Sequence, residues 1–144
     1  MKETTFCLHC DEEKEYYLQK EKRVVNVKGD VFEVILNVAY CAFCHEKVFP
    51  DSVGKENDLI VYDAYRKRHN LLTSEEIKAI RKKRNMSQRE LAAFIKCGEK
   101  NIARYENGTI QDRVFDYLIR MVGDDNCYNA LKQLNEKTFS TKRP

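Results

Sequence analysis

The sequence predicts an α+β protein, in which a small strand-rich domain is followed by an all-α domain. Two Cys-x-x-Cys pairs bracket a segment whose apolar residues alternate with period two, the pattern of a half-buried strand. After Thr73 the apolar residues recur with the helical period instead. Two capping boxes, Thr73 with Glu76 and Ser87 with Glu90, indicate helix starts in this second half.

The composition is that of a globular protein without a membrane span. Of the 144 residues, 42% are hydrophobic and 10% aromatic, and no run approaches the ~18 apolar residues that suggest a transmembrane helix. The first ten residues do not form a basic segment followed by an apolar core, so we expect no secretory signal. We expect a cytoplasmic protein with reduced thiols, and its six cysteines then indicate metal binding or catalysis before disulfides.

The strand-rich segment covers residues 7–49. From Val31 to Cys41 one parity is wholly apolar or aromatic, and it consists of Phe32, Val34, Leu36, Val38 and Tyr40. Residues 16–18 and 24–27 are predicted partner strands, and Lys28-Gly29-Asp30 is a turn signal. We place this domain at 1–54, because Pro50 to Gly54 interrupts the pattern.

A helical connector and an all-α domain follow. The connector is placed at 55–71, with its helix over 57–69. The second domain is placed at 72–136, with helices predicted at 74–84, 87–96, 99–106, 111–122 and 125–135. The residues after it, 137–144, are predicted to be a flexible tail.

The cysteine spacing predicts a zinc site. Cys7 and Cys10 form one pair, and Cys41 and Cys44 form the second. Two such turns supply the four thiolates of a tetrahedral zinc shell, which leaves no position for water and makes the ion structural. A domain of this size gains folding free energy from the metal. His9 or His45 remains an alternative to one cysteine as a ligand.

Three other interpretations of the cysteines fit less well. A redox Cys-x-x-Cys leaves the second pair unexplained, and a zinc deaminase would need an H-x-E motif before its cysteine pair, which is absent. The run from Cys41 to His45 matches a haem attachment motif, but covalent haem normally requires export. Cys97 and Cys127 lie on apolar helix faces and are interpreted as small buried hydrophobes.

Charge is unevenly distributed along the chain. Residues 1–70 carry a net charge of −2 and residues 71–144 a net of +5. Between Lys78 and Arg104 nine basic residues face only two acidic ones. A basic block within a folding segment suits a polyanion such as DNA, although a solvated helix face would give the same charge count.

Residues 87–108 carry the pattern of a helix-turn-helix. Leu91, Ala92 and Ile95 form the inward stripe of the first helix, and Ile102 and Tyr105 anchor the second. Cys97 occupies the buried turn, and Gly98 is predicted to be the N-cap of the second helix. The second helix would then enter the major groove of double-stranded DNA.

Two groups of side chains are the candidate DNA contacts. The open face of the second helix carries the base-reading candidates Glu99, Lys100, Asn101 and Arg104. Phosphate contacts are expected from Ser87, Gln88, Arg89, Lys83 and Arg84, together with Lys82.

These residues carry a family resemblance. The runs from Met86 to Ala92 and from Ile102 to Gly108 resemble the helix-turn-helix of the Xre (lambda-repressor-like) class. With the cysteine pairs, 7–135 resembles the MqsA (YgiT-type) zinc-finger antitoxins. Residues 38–66 are also similar to the N-terminal region of SocA-type antitoxins, whose Panacea domain has no counterpart here.

The MqsA resemblance implies the function of an antitoxin. It implies a homodimer through the C-terminal domain, binding of a palindromic operator, autorepression, and neutralisation of a toxin by the zinc domain. The matching residues are Cys7, Cys10, Cys41, Cys44 and Arg104. The chain departs from the family at 96–100, where the family often has Gly-Gly-Gly-Val-Asn and its base-reading Asn aligns with Lys100.

Three functional hypotheses follow from the sequence. The leading one is a sequence-specific regulator that is the antitoxin and autorepressor of a type II toxin–antitoxin system. The alternative is a zinc-domain protein–protein adaptor, or an ordinary regulator without a toxin. An enzyme is not expected, because nothing in the sequence assembles a nucleophile, a base and an oxyanion donor.

Overall fold

A computed structural model describes residues 3–141, with side chains through residue 137. A four-stranded antiparallel sheet comes first and six helices follow in the described part of the chain, so the α+β prediction is confirmed. The chain divides into two compact units, 1–65 (unit 1) and 66–144 (unit 2). None of the described helices is long and apolar enough to cross a membrane.

The sheet of unit 1 is built around one long hairpin. Strands β1 (Thr4–Cys7), β2 (Glu12–Val27), β3 (Asp30–Cys41) and β4 (Lys47–Val48) pair in that order. The predicted turn is confirmed, because Lys28 and Gly29 both have positive φ and connect Val27 to Asp30, which are paired. Positive φ at both central residues matches the twist of a two-residue hairpin.

The strand prediction from the sequence wrongly divided β2 into two strands and did not include β1 or β4. Residues 16–18 and 24–27 were predicted as separate strands, but β2 runs unbroken through the polar residues between them. Cross-strand pairing with β3 extends from Tyr16 to Val27, so the partner strand maintains pairing where the apolar pattern is lost.

The buried face of β3 changes along the strand. Phe32 and Val34 are buried at its first half, as the predicted parity requires. At its end the opposite parity is buried, because Ala39 and Cys41 belong to a small core with Cys7 and Val48. The predicted alternation is therefore correct for only half of the strand.

Helix α1 (Asp51–Arg68) begins earlier than predicted. We expected residues 50–54 to be a break and the helix to start at Asn57. Instead the amide of Gly54 donates to the carbonyl of Pro50, which opens the first helical turn, and Asp51 places an acidic residue at the positive end of the helix. A proline ahead of a helix is compatible with its first turn.

Unit 2 contains the predicted all-α domain. Its helices are α2 (Ser74–Lys83), α3 (Gln88–Ile95), α4 (Asn101–Glu106), α5 (Arg113–Gly123) and α6 (Asp125–Thr141). Both predicted capping boxes are formed, by Thr73 with Glu76 and by Ser87 with Glu90. The predicted tail begins inside α6, which continues to Thr141, and residues 142–144 lie outside the described part of the chain.

One core holds these helices together. It contains apolar residues from α2 to α5 and from the segment before α2, and Tyr128 and Leu131 of α6 pack against it. The predicted inward stripe is confirmed, since Leu91, Ala92 and Ile102 are fully buried and Ile95 and Tyr105 nearly so. Cys97, predicted to be buried, is half-buried at the edge of this core.

Candidate metal centre and nucleic-acid interface

The four paired cysteines converge in unit 1. Their sulfur atoms all lie within 4.8 Å of one another. The Sγ atoms of Cys7 and Cys44 are 3.5 Å apart, and those of Cys10 and Cys41 are 3.9 Å apart. The chain brings them together because β1 and β3 lie on opposite sides of β2, and each ends at a cysteine from which a Cys-x-x-Cys turn follows.

Backbone amides point at two of these sulfurs. The amide of Cys10 donates to Cys7 Sγ, and the amide of Phe43 donates to Cys41 Sγ, each over 3.4 Å. Such bonds favour a thiolate. The pKa of Cys41 is lowered to about 6, chiefly by the backbone amide of Cys44 and also by that of Phe43.

Without a cation, Cys10 and Cys41 do not ionise in the same pH range. Burial raises the pKa of Cys10 to about 12, and its hydrogen bonds with the other three thiols add to the increase. The pKa of Cys44 is also raised. A divalent ion would favour the thiolate forms and allow all four cysteines to bind as thiolates.

The sulfur cluster has dimensions that suit zinc. A tetrahedral zinc ion with bonds of about 2.3 Å holds its sulfurs about 3.8 Å apart. The Sγ–Sγ distances of 3.5 Å (Cys7 to Cys44) and 3.9 Å (Cys10 to Cys41) bracket that value. Cys7 and Cys41 are buried and Cys10 and Cys44 half-buried. The donor set therefore fits a closed tetrathiolate site.

Neither candidate histidine belongs to this cluster. The group of potential ligands found among the described residues consists of the four cysteines alone. His45 has a left-handed backbone (φ 63°) directly after Cys44, and its Nδ1 lies 3.0 Å from the hydroxyl of Tyr17. His9 is exposed within the first cysteine turn.

The two units carry opposite charge. Unit 1 has 8 Lys/Arg against 13 Asp/Glu, a net of −5, whereas unit 2 has 18 against 10, a net of +8. The basic excess therefore belongs to the unit that contains α3 and α4.

A buried ion pair connects α2 to α4. Arg81 contacts Glu106 through two hydrogen bonds, of 2.8 Å from Nε and 3.0 Å from Nη2. Glu106 is only 1% exposed, and the pair raises the pKa of Arg81. The side-chain amide of Gln88 donates to the same carboxylate over 3.2 Å, and Arg81 also donates to the carbonyl of Met86. This network fixes α2, α3 and α4 to one another.

A second network holds the far end of α4. Arg66, in the last turn of α1, is fully buried and donates to the carbonyls of Tyr105 and Thr109 and to the side chain of Gln111. A cation at the C-terminal end of a helix is favoured by the helix dipole.

The network continues from Gln111 to the entrance of α2. The side chain of Gln111 donates to the carbonyl of Leu72 and to the carboxylate of Asp116. That carboxylate also accepts from the backbone amide of Leu72 and from the side chain of Arg120. Asp116 is fully buried, so both of its oxygens find donors inside the unit.

The base-reading candidates lie around the start of α4. Glu99, Lys100 and Arg104 are exposed, whereas Asn101 is half-buried. The side chain of Asn101 lies back over Gly98, where an added Cβ would be 3.2 Å from its Nδ2, and its Oδ1 is 3.5 Å from Nη1 of Arg104. The open face thus consists mainly of Glu99, Lys100 and Arg104.

The predicted start of α4 was two residues too early. Gly98 is not the N-cap; its carbonyl accepts from the amide of Asn101, which closes a turn, and Lys100 occupies the cap position. Lys96, which ends α3, has a left-handed backbone (φ 64°). The sequence contained no side-chain cap that could mark this start, and the structure shows none.

The phosphate candidates divide into two groups. Ser87 caps α3, and Arg89 is 79% exposed in an ion pair with Glu99. In contrast, Arg84 is 12% exposed, donates to the carbonyl of Val122 and to Asp125, and lies over the ring of Tyr128.

Lys83 and Lys82 remain available to solvent. Lys83 is half exposed, at 52%, and donates to the carbonyl of Gly123. Lys82 is exposed on the same last turn of α2.

Sequence analysis missed Arg66, Gln111 and Asp116. All three are polar residues in or beside helical patterns, where they are normally solvated. A buried charge is recognised by its partners, which here lie about 40 residues away along the chain. No local pattern contains that information.

These features define a helix-turn-helix domain of the kind that binds DNA. The family model described as "Helix-turn-helix" matches residues 77–112, which is 36 of the 144 residues and includes α3 and α4. The match supports a DNA-binding transcription regulator. No curated protein matches the chain.

Proposed function

We propose that the protein is a sequence-specific transcription regulator that binds double-stranded DNA through α4. The observation that carries this proposal is the arrangement of α4, whose Ile102 and Tyr105 are buried while Lys100 and Arg104 are exposed. A helix anchored on one side and basic on the other suits the major groove.

We assign different roles to the candidate contacts. Arg104 reads guanine, and Lys100 contacts a base or a phosphate. Asn101 orients Arg104, and its side chain reaches a base only if it moves away from Gly98. Glu99 is ion-paired with Arg89 until a DNA phosphate replaces the Glu99 carboxylate. Ser87 presents the start of α3 to phosphate. Arg84 and the side chain of Gln88 are removed from the contact set, because both are used within the fold.

The four cysteines hold a structural zinc ion in this proposal. Cys7, Cys10, Cys41 and Cys44 would complete its shell, so the ion supplies folding free energy and no catalysis. We propose no enzymatic activity. The proposed site of action is the cytoplasm.

A homodimer is proposed through the C-terminal unit. Helix α5 exposes an apolar stripe of Val114 (65% exposed), Tyr117 (56%) and Met121 (39%) on one face. Two copies joined there would present two α4 helices to a palindromic operator with half-sites about one helical turn apart.

The experiment that tests DNA binding compares two duplexes at several salt concentrations. We expect the duplex from the region upstream of the chain's own reading frame to bind at least a hundredfold more tightly than random DNA. The log–log slope with salt should be near −5, as roughly six neutralised phosphates require. Equal affinity for both duplexes would refute sequence-specific regulation.

Point variants then locate the interface. Arg104→Ala should weaken specific binding by about 1–3 kcal/mol, which is one bidentate base contact. Lys132→Ala removes an exposed cation on α6 and serves as the matched control. If Arg104→Ala and Lys132→Ala weakened specific binding equally, the DNA interface would lie elsewhere.

An antitoxin and autorepressor is the particular regulator that we propose. The support is the cysteine-bracketed domain followed by a helix-turn-helix, the order that MqsA-type antitoxins have. The alternative is an adaptor or a regulator without a toxin. Co-expression with the adjacent reading frame separates them, because an antitoxin requires that frame to be toxic alone and harmless together with this chain.

A further inference from the structure

Two large apolar side chains project from the cysteine turns of unit 1. Leu8 lies between Cys7 and Cys10 and is 81% exposed, and Phe43 lies between Cys41 and Cys44 and is 73% exposed. Neither contributes to the core of the unit. Single exposed apolar residues are ordinary, but one on each of two turns around the same centre is a candidate contact surface. We call Leu8 and Phe43 the knuckle pair.

Hydrogen bonds hold the backbone of both turns, and Lys14 contacts the ring of Phe43. In the first turn the amide of Asp11 donates to the carbonyl of Cys7 over 2.7 Å. In the second, the amide of Phe43 donates to Cys41 Sγ, and Nζ of Lys14 lies 3.9 Å from the centre of the Phe43 ring. The Phe43 ring, already in contact with Lys14, loses less entropy when a partner binds it.

The charge around the pair is negative. Residues 3–16 and 41–47 contain six Asp/Glu and two Lys. Of the two lysines, Lys14 is ion-paired with Glu12 at 2.7 Å and is only 18% exposed. Asp11 and Glu46 are exposed on these segments, as is Lys47. A zinc tetrathiolate would add two further negative charges.

We propose that the knuckle pair docks a basic protein that presents an apolar side chain flanked by lysines or arginines. Leu8 and Phe43 supply the apolar contact, and Asp11 and Glu46 attract the flanking cations. The inference rests on the proposal that unit 1 binds a protein, and it is independent of DNA binding.

The charge of unit 1 argues against nucleic acid as the occupant. An exposed phenylalanine can stack on a base, but such sites lie in positively charged grooves that follow the phosphates. Unit 1 has a net charge of −5, and the cation nearest Phe43 is already paired with Glu12. The same charge attracts a basic protein and speeds its association.

The test uses the full-length, metal-loaded protein and a peptide probe. The probe has Leu-Trp at its centre and two lysines on each side. A matched peptide replaces Leu-Trp by Ser-Ser, and a charge-reversed one replaces the lysines by glutamates. NMR titration should shift the signals of Leu8 and Phe43 with the probe, and affinity should fall at least tenfold for either of the other peptides.

Variants of the protein complete the test. Leu8→Ser and Phe43→Ser should each weaken probe binding at least tenfold, and Glu46→Lys severalfold. Phe49→Ser is the matched control, because Phe49 is equally exposed at 77% and lies outside both cysteine turns. Metal content and DNA affinity, measured on the same samples, should stay unchanged in all four variants.

Several outcomes would overturn the proposal. These are equal binding of the Ser-Ser or the charge-reversed peptide, no binding of the probe, or unchanged affinity in both Leu8→Ser and Phe43→Ser. Binding of an oligothymidine that competes at Phe43 would assign the surface to nucleic acid instead. DNA affinity for the upstream duplex is a separate readout, so failure here is distinguishable from failure of the regulator function.

Discussion

At the scale of single residues, Arg66 has the most consequential position in unit 2. Its guanidinium holds two backbone carbonyls at the end of α4 and the side chain of Gln111. Removing a buried donor of this kind leaves its acceptors without partners, which costs more than the hydrogen bonds themselves contribute. Arg66 lies outside residues 77–112, so the DNA-binding unit extends beyond the segment that matches the family model.

We expect Arg66→Met to lower the free energy of unfolding of unit 2 by about 3 kcal/mol. Urea denaturation followed by helical circular dichroism measures this. Lys67→Met is the matched control, because Lys67 is exposed on the same turn, and its effect should stay within about 0.5 kcal/mol. Equal effects of the two variants would contradict the role of Arg66.

A pH effect is expected from Glu90. Its pKa is lowered by the backbone amide and the hydroxyl of Ser87 in the capping box. A carboxyl with a lowered pKa stabilises the folded state above its unfolded value, near 4.5, and this contribution disappears as pH falls through the folded pKa.

Glu90→Gln keeps the hydrogen bonds of the box but removes the charge. Unfolding free energies measured from pH 7 to pH 3 should therefore fall less steeply below about pH 4.5 in this variant than in the natural protein. Parallel curves for the two proteins would show that Glu90 does not contribute to acid sensitivity.

At the scale of elements, α4 depends on its neighbours for its stability. It has six residues, whereas isolated helices shorter than ~12–15 residues are marginal in water. Ile102 and Tyr105 bury one side, and Glu106 and the terminal carbonyls are held by Arg81 and Arg66. These contacts hold its exposed face in a fixed position, as base reading requires.

Helix α5 offers a test of dimerisation. Tyr117→Asp places a charge in the exposed stripe. We expect it to convert the proposed dimer to a monomer in sedimentation experiments and to weaken binding of a palindromic duplex more than tenfold. Leu134→Asp, at a 60% exposed leucine of α6, is the control and should remain dimeric. A natural protein that sediments as a monomer at all concentrations would exclude the dimer.

At the scale of the whole molecule, the two units are stabilised differently. Among its described residues, unit 2 has a hydrophobic cluster of nine buried residues, in addition to buried polar residues that include Arg66, Glu106, Gln111 and Asp116. The cluster at the cysteine centre of unit 1 has four buried residues, and two of these are cysteines. Four other buried apolar residues of unit 1, Val27, Phe32, Val34 and Val53, lie outside this cluster. The cysteine centre therefore has little hydrophobic core of its own, and a metal ion is expected to supply stabilisation there.

Removal of the metal should therefore affect the units unequally. With a strong chelator we expect the sheet of unit 1 to unfold while the helical signal of unit 2 persists, as circular dichroism and methyl NMR would show. Acid should release the ion too, because protons compete for the thiolates and the pKa of Cys10 is raised to about 12 without metal. A sheet that stays intact when zinc analysis shows no metal would contradict the structural role.

Much of this architecture could be predicted from the sequence, because its signals are local. Both capping boxes, the turn at Lys28 and Gly29 and the inward stripe of the helix-turn-helix each depend on a few neighbouring residues. The start of α4 could not be predicted, because the chain turns at Gly98 without a side-chain cap. The length of β2 could not be predicted either, because it depends on pairing with β3.

By itself the sequence determined the α+β class, the paired cysteines and the position of the helix-turn-helix. Only the tertiary structure decided which polar side chains are exposed. It placed the sulfurs of Cys7 and Cys44 3.5 Å apart, buried Arg66 and directed Arg84 into the fold, while Lys100 and Arg104 remained exposed. The physical reason is that burial of a charge depends on partners distant in the chain, whereas caps, turns and amphipathic stripes depend on residues within a few positions.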